Sequence, residues 1–430
     1  LYTPISNYAL VALSMYSNKG IVTAVGEQPI KGLLNPAIMA RMVVGECLTN
    51  LMWVKITQFT DIKLSGNWMW PAKIEEENYH LYCAVKSLSN LLGKLKIGID
   101  GGKDSVSMYV SIDNKRIKSP RTLVLSSYAP CPNIYKKVTP NFKHSKTNIV
   151  YVDLGYGKNR FGGSSMCQVY NQIGSNCPDF ENPLNFVEVF NIIQEYIQNG
   201  KILSGHDRSD GGLITTLLEM SISSGIGFNI SFEGNPTDYL LNEELGLVIE
   251  IEDEYVSDLI TELSKYVPTY KIGKTTAKSR ININCNGEQL IYNSVKYYQE
   301  LWEKTSFVLE VKQIGESLAR SEIVSLLNMT DVSYNCSSPI VQRLINHHIP
   351  DISFKIAILR EEGSNGEREM ASAFHMAGFE TWDVTTQDLL NNENLLSNFR
   401  GIAFVGGFSY SDCLGSSIGW YNVIVNNLKI

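Results

Sequence analysis

The chain has 430 residues, 44% of them hydrophobic, and a formal net charge of −7. This length gives roughly two to four domains with real cores, and the acidic balance offers no global basic field for nucleic acid or an anionic membrane surface. No apolar run approaches the ~20 residues of a membrane span and no signal-peptide pattern opens the chain; the eight cysteines are scattered without zinc or redox spacing, so reduced thiols in a cytoplasmic protein are expected.

Residues 1–146 read as a first body. Asn35-Pro36 starts a helix, with Asn as cap and Pro at the first helical position. It is predicted to run to about Val54, with Ile38, Met39, Met42 and Val43 on its packed stripe. A second helix is predicted over Tyr79–Leu95, then strands at Lys96–Ile99, Val106–Ile112 and Thr122–Tyr128. Residues 147–310 read as a second α/β body. Its predicted strands are Asn148–Leu154, Gly227–Phe232, Gly246–Glu252, Tyr270–Gly273 and Ile281–Asn286. Its predicted helices are Pro183–Gln198, closed by Asn199-Gly200, then Gly211–Ser224 and the capped Asp253–Tyr266. Such alternation with short connections implies layered α/β or α+β domains.

Residues 311–353 read as a linker with one modest helical stretch. The pair His347-His348 lies there; adjacent side chains do not share a helix face, which suits a solvated pair better than a metal site. From residue 354 a β-α-β pattern begins: strand Lys355–Leu359, helix Glu367–Gly378, strands Glu380–Val384 and Gly401–Val405. This is the opening of a doubly wound parallel sheet.

Four constellations carry polar chemistry. Glu46 and Asn50 lie four apart on the first helix and share a face. Such an oxygen pair can hold Mg²⁺ beside a nucleotide, although alone it is what a solvated helix face carries. His206-Asp207-Arg208-Ser209-Asp210-Gly211-Gly212 leads into a helix; its glycines permit close backbone approach, its aspartates offer metal ligands, and a turn with capping residues is the equal alternative. Asp100-Gly101-Gly102-Lys103-Asp104-Ser105 suits phosphate contact through Lys103, but by itself reads as a hairpin turn between strands, and its spacing is not that of a Walker A loop. Arg160-Phe161-Gly162-Gly163-Ser164-Ser165 is another glycine turn before a helix, and Leu64–Trp70 is an aromatic-rich run suited to covering a core or a subunit contact.

In order, these motifs resemble the C-terminal part of the large, single-chain phosphoribosylformylglycinamidine synthase family. The resemblance rests on Gly26-Glu27-Gln28-Pro29, Gly45-Glu46 with Leu48-Thr49-Asn50, Ser65-Gly66-Asn67-Trp68-Met69, Gly101–Ser105, His206–Gly212, and Glu244 with Gly246. Near the end it adds Arg360–Met370 and Gly406-Gly407-Phe408-Ser409-Tyr410-Ser411-Asp412. It covers nearly the whole chain outside 311–353.

The resemblance implies a multidomain α/β and α+β chain. Residues 1–146 and 147–310 would be the barrel-forming α/β domain and the second α/β domain of one synthetase half. Residues 354–430 would be the truncated start of a doubly wound class I glutamine amidotransferase domain. It implies an ATP- and glutamine-dependent carbon–nitrogen ligase that amidates formylglycinamide ribonucleotide in purine synthesis, with Mg²⁺ and ATP, or tightly bound ADP, as cofactors. By the resemblance, Glu46, Asn50 and Asp207 match Mg²⁺ ligands, Asn7 stands where the family has a ligating Asp, and Ser6 and Ser209 match positions that touch the nucleotide. Asn in place of Asp removes a negative charge and should weaken the site.

Gly406 and Gly407 match a turn whose N–H groups stabilise an oxyanion. The family's nucleophilic Cys and its His and Glu partners have no counterpart here; Cys413 lacks the elbow signature. With Leu1 rather than Met at its start, the chain reads as a fragment, inactive alone, whose partners are the other synthetase half and the rest of the glutaminase. Two alternatives stand beside this reading: a non-catalytic nucleotide-binding module, and a related ATP-dependent enzyme such as aminoimidazole ribonucleotide or selenophosphate synthetase.

Overall fold

A computed structural model describes residues 6–14, 16–113, 115–328, 354–392 and 394–427. The chain divides into two compact units, Leu1–Met329 and Thr330–Ile430.

In the first unit, β1 (Ala9–Ser14), β2 (Ser17–Glu27), β3 (Lys63–Met69), β4 (Gly98–Ser105) and β7 (Thr122–Cys131) form an open sheet in the order β1-β2-β7-β3-β4. Between β4 and β7 the chain makes a separate hairpin, β5 (Tyr109–Ile112) and β6 (Lys115–Lys118). Strand alternation sends Val22 and Ala24 of β2, and Leu123 and Leu125 of β7, inward. There they meet α2 (Pro36–Leu51), which follows the short α1 (Pro29–Leu34). Asn35 caps α2 as the sequence predicts, its Oδ1 accepting from the N–H of Ala37 at 3.0 Å and of Ile38 at 3.1 Å. The helix stops at Leu51 rather than Val54. Buried Gln194 there accepts from the Ile56 N–H and donates to the carbonyls of Met52 and Val54, satisfying the backbone as it leaves the helix. α3 (Glu77–Leu95) packs beside α2.

Gly101–Ser105, expected as a turn, lies within β4. It runs parallel to β3, with Gly102 opposite Gly66, so close that a Cβ on Gly102 would meet the Gly66 carbonyl oxygen at 2.1 Å. Asn67 is exposed on β3, and Trp70, which follows that strand, is fully buried.

The second part of this unit carries β8 (Asn148–Asp153), β9 (Ile202–Arg208), β10 (Gly227–Phe232), β11 (Gly246–Ile251), β12 (Thr269–Thr276), β13 (Arg280–Cys285) and β14 (Glu288–Ser294). Their order is β14-β13-β10-β12-β8-β11-β9. After α4 (Ser165–Val169) come α5 (Pro183–Gln198), α6 (Gly212–Ile222), α7 (Pro236–Leu240) and α8 (Asp253–Leu263). β8 and β11 are buried at every residue because helices cover both faces. Val150 and Val152 join α5, α8 and the core around α2, while Ile149 and Tyr151 face the cluster of α6. α9 (Val295–Ile314) and α10 (Glu316–Leu327) follow, so the segment read as linker from 311 is helical to Leu327. The remainder of that segment, with His347-His348 and Cys336, lies outside the described residues.

In the second unit, β15 (Lys355–Arg360), β16 (Glu380–Thr385) and β17 (Gly401–Phe404) form a parallel sheet in the order β16-β15-β17, the doubly wound opening that the sequence predicts. Ala357, Leu359, Val384, Leu389 and Trp420 pack on one side, Ile356, Ile358 and Val405 on the other. The seven described cysteines are free, and no helix among the described residues is long and apolar enough to cross a membrane.

Candidate functional site

Four separate segments meet at the end of β9. Asp207 sits there because β9 pairs with buried β11, Asp207 opposite Leu247. Asn7, 200 residues earlier in the chain, donates from Nδ2 to Asp207 Oδ1 at 2.6 Å and reaches His206 Nδ1 at 3.0 Å. From α2, Thr49 directs its hydroxyl at the other carboxylate oxygen of Asp207, at 3.5 Å. One turn earlier on α2, Glu46 Oε2 accepts from the Glu27 N–H at 2.8 Å and from Gln28 Nε2 at 2.9 Å. Asn50, one turn later, donates to the Val25 carbonyl at 3.1 Å. The helical spacing that links Glu46 and Asn50 in sequence thus faces both toward the end of β2.

His206 is buried between acids, its Nε2 2.8 Å from Glu219 Oε2 and its Nδ1 3.1 Å from Asp207. Burial alone would lower its pKa, but hydrogen bonds and charge from Asp207 and Glu219 outweigh it and raise the ring to about 9. Burial pushes Glu46 up to about 8; the Gln28 and Glu27 donors oppose this, and the charges of Asp207 and Asp210 add to it. Asp210 is held above its usual range by desolvation and by Glu243, against the pull of Lys31.

A buried base supports the turn after β9. Lys31 and Glu243 pair at 3.1 Å with 2% and 1% of their side chains exposed. The same Glu243 accepts the N–H of Gly211 and of Ser165, each at 2.8 Å. Gly212 has φ 75°, and a Cβ there would lie 2.6 Å from the Leu240 carbonyl, so this turn requires glycine. Alongside, Arg208 donates to Asp153 and to the Glu244 and Leu245 carbonyls and lies over the Tyr151 ring, while Arg160 bridges Glu244 and Glu181.

Of the residues singled out from sequence, Asn7 and Asp207 are in direct contact, while Glu46 and Asn50 lie on the neighbouring stretch of α2 around Thr49, facing the end of β2. Ser6 adjoins Asn7, its Oγ donating to the Tyr8 carbonyl at 2.8 Å, and Ser209 opens the turn whose carbonyl accepts from the Gly212 N–H. Lys103 is elsewhere: exposed on edge strand β4, it donates to Ser105 at 2.9 Å. Among the described residues no three His, Cys, Asp or Glu side chains are grouped to hold a metal. Asn7, Glu46, Asn50 and Asp207 offer two carboxylates and two amides, a set that suits Mg²⁺ when phosphate and water oxygens complete its shell. Asn7 Oδ1 is shielded from solvent and lacks a hydrogen-bond partner among the described residues, as a ligand atom would.

Sequence reading missed Lys31, Glu219 and Glu243 as parts of this neighbourhood. The available signal for Lys31 was a single charge inside an apolar six-residue helix, and for Glu243 an acid pair abutting a wholly buried strand.

In the second unit Gly406 and Gly407 follow β17. The Gly406 carbonyl accepts from the Asn365 N–H at 2.8 Å, and a Cβ on Gly407 would meet Ser364 Cα at 2.7 Å, so this turn lies directly against the loop 363–365.

Three family models match the chain: the FGAR-AT PurM N-like domain over residues 1–130, the C-terminal domain of AIR synthase related proteins over 149–286, and the CobB/CobQ-like glutamine amidotransferase domain over 353–430. Among curated relatives, the probable phosphoribosylformylglycinamidine synthase, chloroplastic/mitochondrial, of Arabidopsis thaliana is 42% identical over 98% of this chain and 30% of its own length. The Dictyostelium discoideum phosphoribosylformylglycinamidine synthase is 41% identical over 100% of this chain and 34% of its own. For the Homo sapiens protein of that name the figures are 40%, 98% and 32%. The chain thus spans about a third of the length of the curated relatives it matches. Among solved structures, T. maritima PurL complexed with FGAR aligns over 68% of this chain and 47% of its own, with a TM-score of 0.57 at 10% identity, a likeness of fold. With three domain models in this order and about 40% identity along almost every residue, the chain belongs to the phosphoribosylformylglycinamidine synthase family.

Proposed function

We propose that the site formed by Asn7, Glu46, Asn50 and Asp207 binds a Mg²⁺-nucleotide, ATP or tightly held ADP, with Ser6 and Ser209 touching the nucleotide. The observation that carries this reading is the meeting of Asn7 and Asp207 at 2.6 Å, with Asn7 Oδ1 left unpartnered among the described residues. Mg²⁺ held there would neutralise phosphate charge. The chain's own contribution is positional: His206 and Thr49 fix the Asp207 carboxylate, and Gln28 and the Glu27 N–H fix Glu46. Solved T. maritima PurL structures are described as complexed with ATP and with ADP, which supports a nucleotide.

The activity follows as part of the same proposal. The chain is a portion of an ATP- and glutamine-dependent ligase that converts formylglycinamide ribonucleotide to its amidine, working with the remaining synthetase and glutaminase regions that its relatives carry. Gly406 and Gly407 are proposed to face the oxyanion formed during glutamine hydrolysis. Lys103 contacts phosphate only if a ligand reaches the edge at β4. The proposed compartment is the cytoplasm; the Arabidopsis relative is described as chloroplastic/mitochondrial.

Calorimetry with Mg·ADP tests the site. Native chain should bind, Asp207→Asn should bind about tenfold or more weakly, and Asn7→Asp should tighten Mg²⁺ dependence by supplying a third carboxylate. No affinity in the native chain, or equal affinity in all three, would remove the proposal.

A further inference from the structure

Glu243 lies next to the site yet touches none of its proposed ligands, and its contacts are unusual. A single oxygen, Oε1, accepts both the Gly211 N–H of the turn after β9 and the Ser165 N–H of the turn Phe161–Ser165, each at 2.8 Å. The second oxygen, Oε2, takes Lys31 Nζ at 3.1 Å. Lys31 in turn donates to Gln28 Oε1, and Gln28 Nε2 donates to Glu46 Oε2 at 2.9 Å. Two glycine turns, separated by some 45 residues of chain, are thereby tied to one atom, and that atom is tied through two side chains to Glu46. The packing repeats the linkage: a Cβ on Gly163 would lie 2.7 Å from Lys31 Cγ, so the first turn rests directly on α1.

We propose that Glu243 is a positioning residue, which holds the two glycine turns at a fixed separation and, through Lys31 and Gln28, sets Glu46 relative to them. The relay rests on the nucleotide reading for its purpose but not for its existence. Surface ion pairs contribute little and tolerate loss; here both members are almost wholly enclosed, so removing one leaves a buried charge without its counter-ion. Hydrogen bonds to buried charged groups are the stronger class, and a chain of them moves as a unit.

Two readouts test it in the full chain. The first needs no ligand: selective ¹⁵N-glycine and ¹⁵N-serine labelling reports the Gly211 and Ser165 amides. Lys31→Met, which touches neither amide, should move both resonances, and Gln28→Leu should move them in the same direction by less. Unmoved resonances in folded Lys31→Met overturn the relay. Should Lys31→Met fail to fold, Gln28→Leu, which also touches neither amide, carries the same test, and unmoved resonances in it overturn the relay. The second readout is Mg·ADP affinity. Glu243→Gln and Gln28→Leu should each weaken binding by about tenfold, and together by no more than the larger single effect, because they interrupt one chain. Additive losses, or binding within twofold of native in every variant, overturn the proposal. If the native chain binds no Mg·ADP, the nucleotide reading fails alone, and the amide shifts still decide the relay.

Discussion

Glu46 faces two opposed demands. Ligation needs it ionised, yet burial with Asp207 and Asp210 nearby holds its pKa at about 8. In the unfolded chain the same carboxyl titrates near its ordinary 4.5. Between those values the folded protein binds a proton that the unfolded chain has lost, so stability falls as pH rises through that window. His206, raised from 6.5 to about 9, adds a loss in the same direction at higher pH. Without divalent cation, the melting temperature should therefore decline from pH 5 to pH 8.5. Glu46→Gln should remove the decline below about pH 6.5 and leave the shallower one due to His206 above it. Thermal melts at half-unit pH steps check this; a Glu46→Gln curve parallel to native would show that Glu46 is ionised throughout. At this scale the shared helix face of Glu46 and Asn50 was legible from their spacing, and both side chains reach the end of β2. The sequence was silent on Lys31 and Glu243, whose partnership spans 212 positions and exists only once α1 lies across the turn after β9.

Elements with strong local punctuation were legible. Pro183–Gln198 was foreseen to the residue because Asn182 caps it, its Oδ1 accepting from the Asn185 N–H at 3.1 Å, and Asn199-Gly200 closes it. β4 was not, since Gly-Gly-Lys-Asp-Ser has turn composition and only its parallel partner β3 makes it a strand. The seam between α2 and β9 was equally hidden. A Cβ on Gly205 would stand 2.0 Å from the Trp53 ring, at the point where β9 passes the end of α2. Gly205→Ala should therefore cost about 1–3 kcal/mol through overpacking, read as a lower urea midpoint with unchanged slope. Because Asp207 is two residues on, the same variant should also weaken Mg·ADP. Unchanged stability would mean that Trp53 finds room to move.

At the scale of the whole molecule, the layered α/β character was legible from strand and helix alternation, whereas how each sheet is covered depends on long-range packing. The two units differ in how completely they bury themselves. The first has continuous cores in which β8 and β11 are sealed on both faces. Among its described residues the second has three strands and two small clusters, and it leaves Ile402, Phe404, Phe408 and Trp382 between 42% and 69% exposed. A sheet that hides so little apolar surface has a small margin over its conformational entropy. With only its small buried clusters to lose, the second unit should unfold first. Scanning calorimetry should resolve a lower transition of small enthalpy and a higher one of large enthalpy. Saturating Mg·ADP should raise the upper transition, since a ligand stabilises only the unit that binds it, and should leave the lower one in place. A single transition that moves as a whole with ligand would mean that the two units are thermodynamically one.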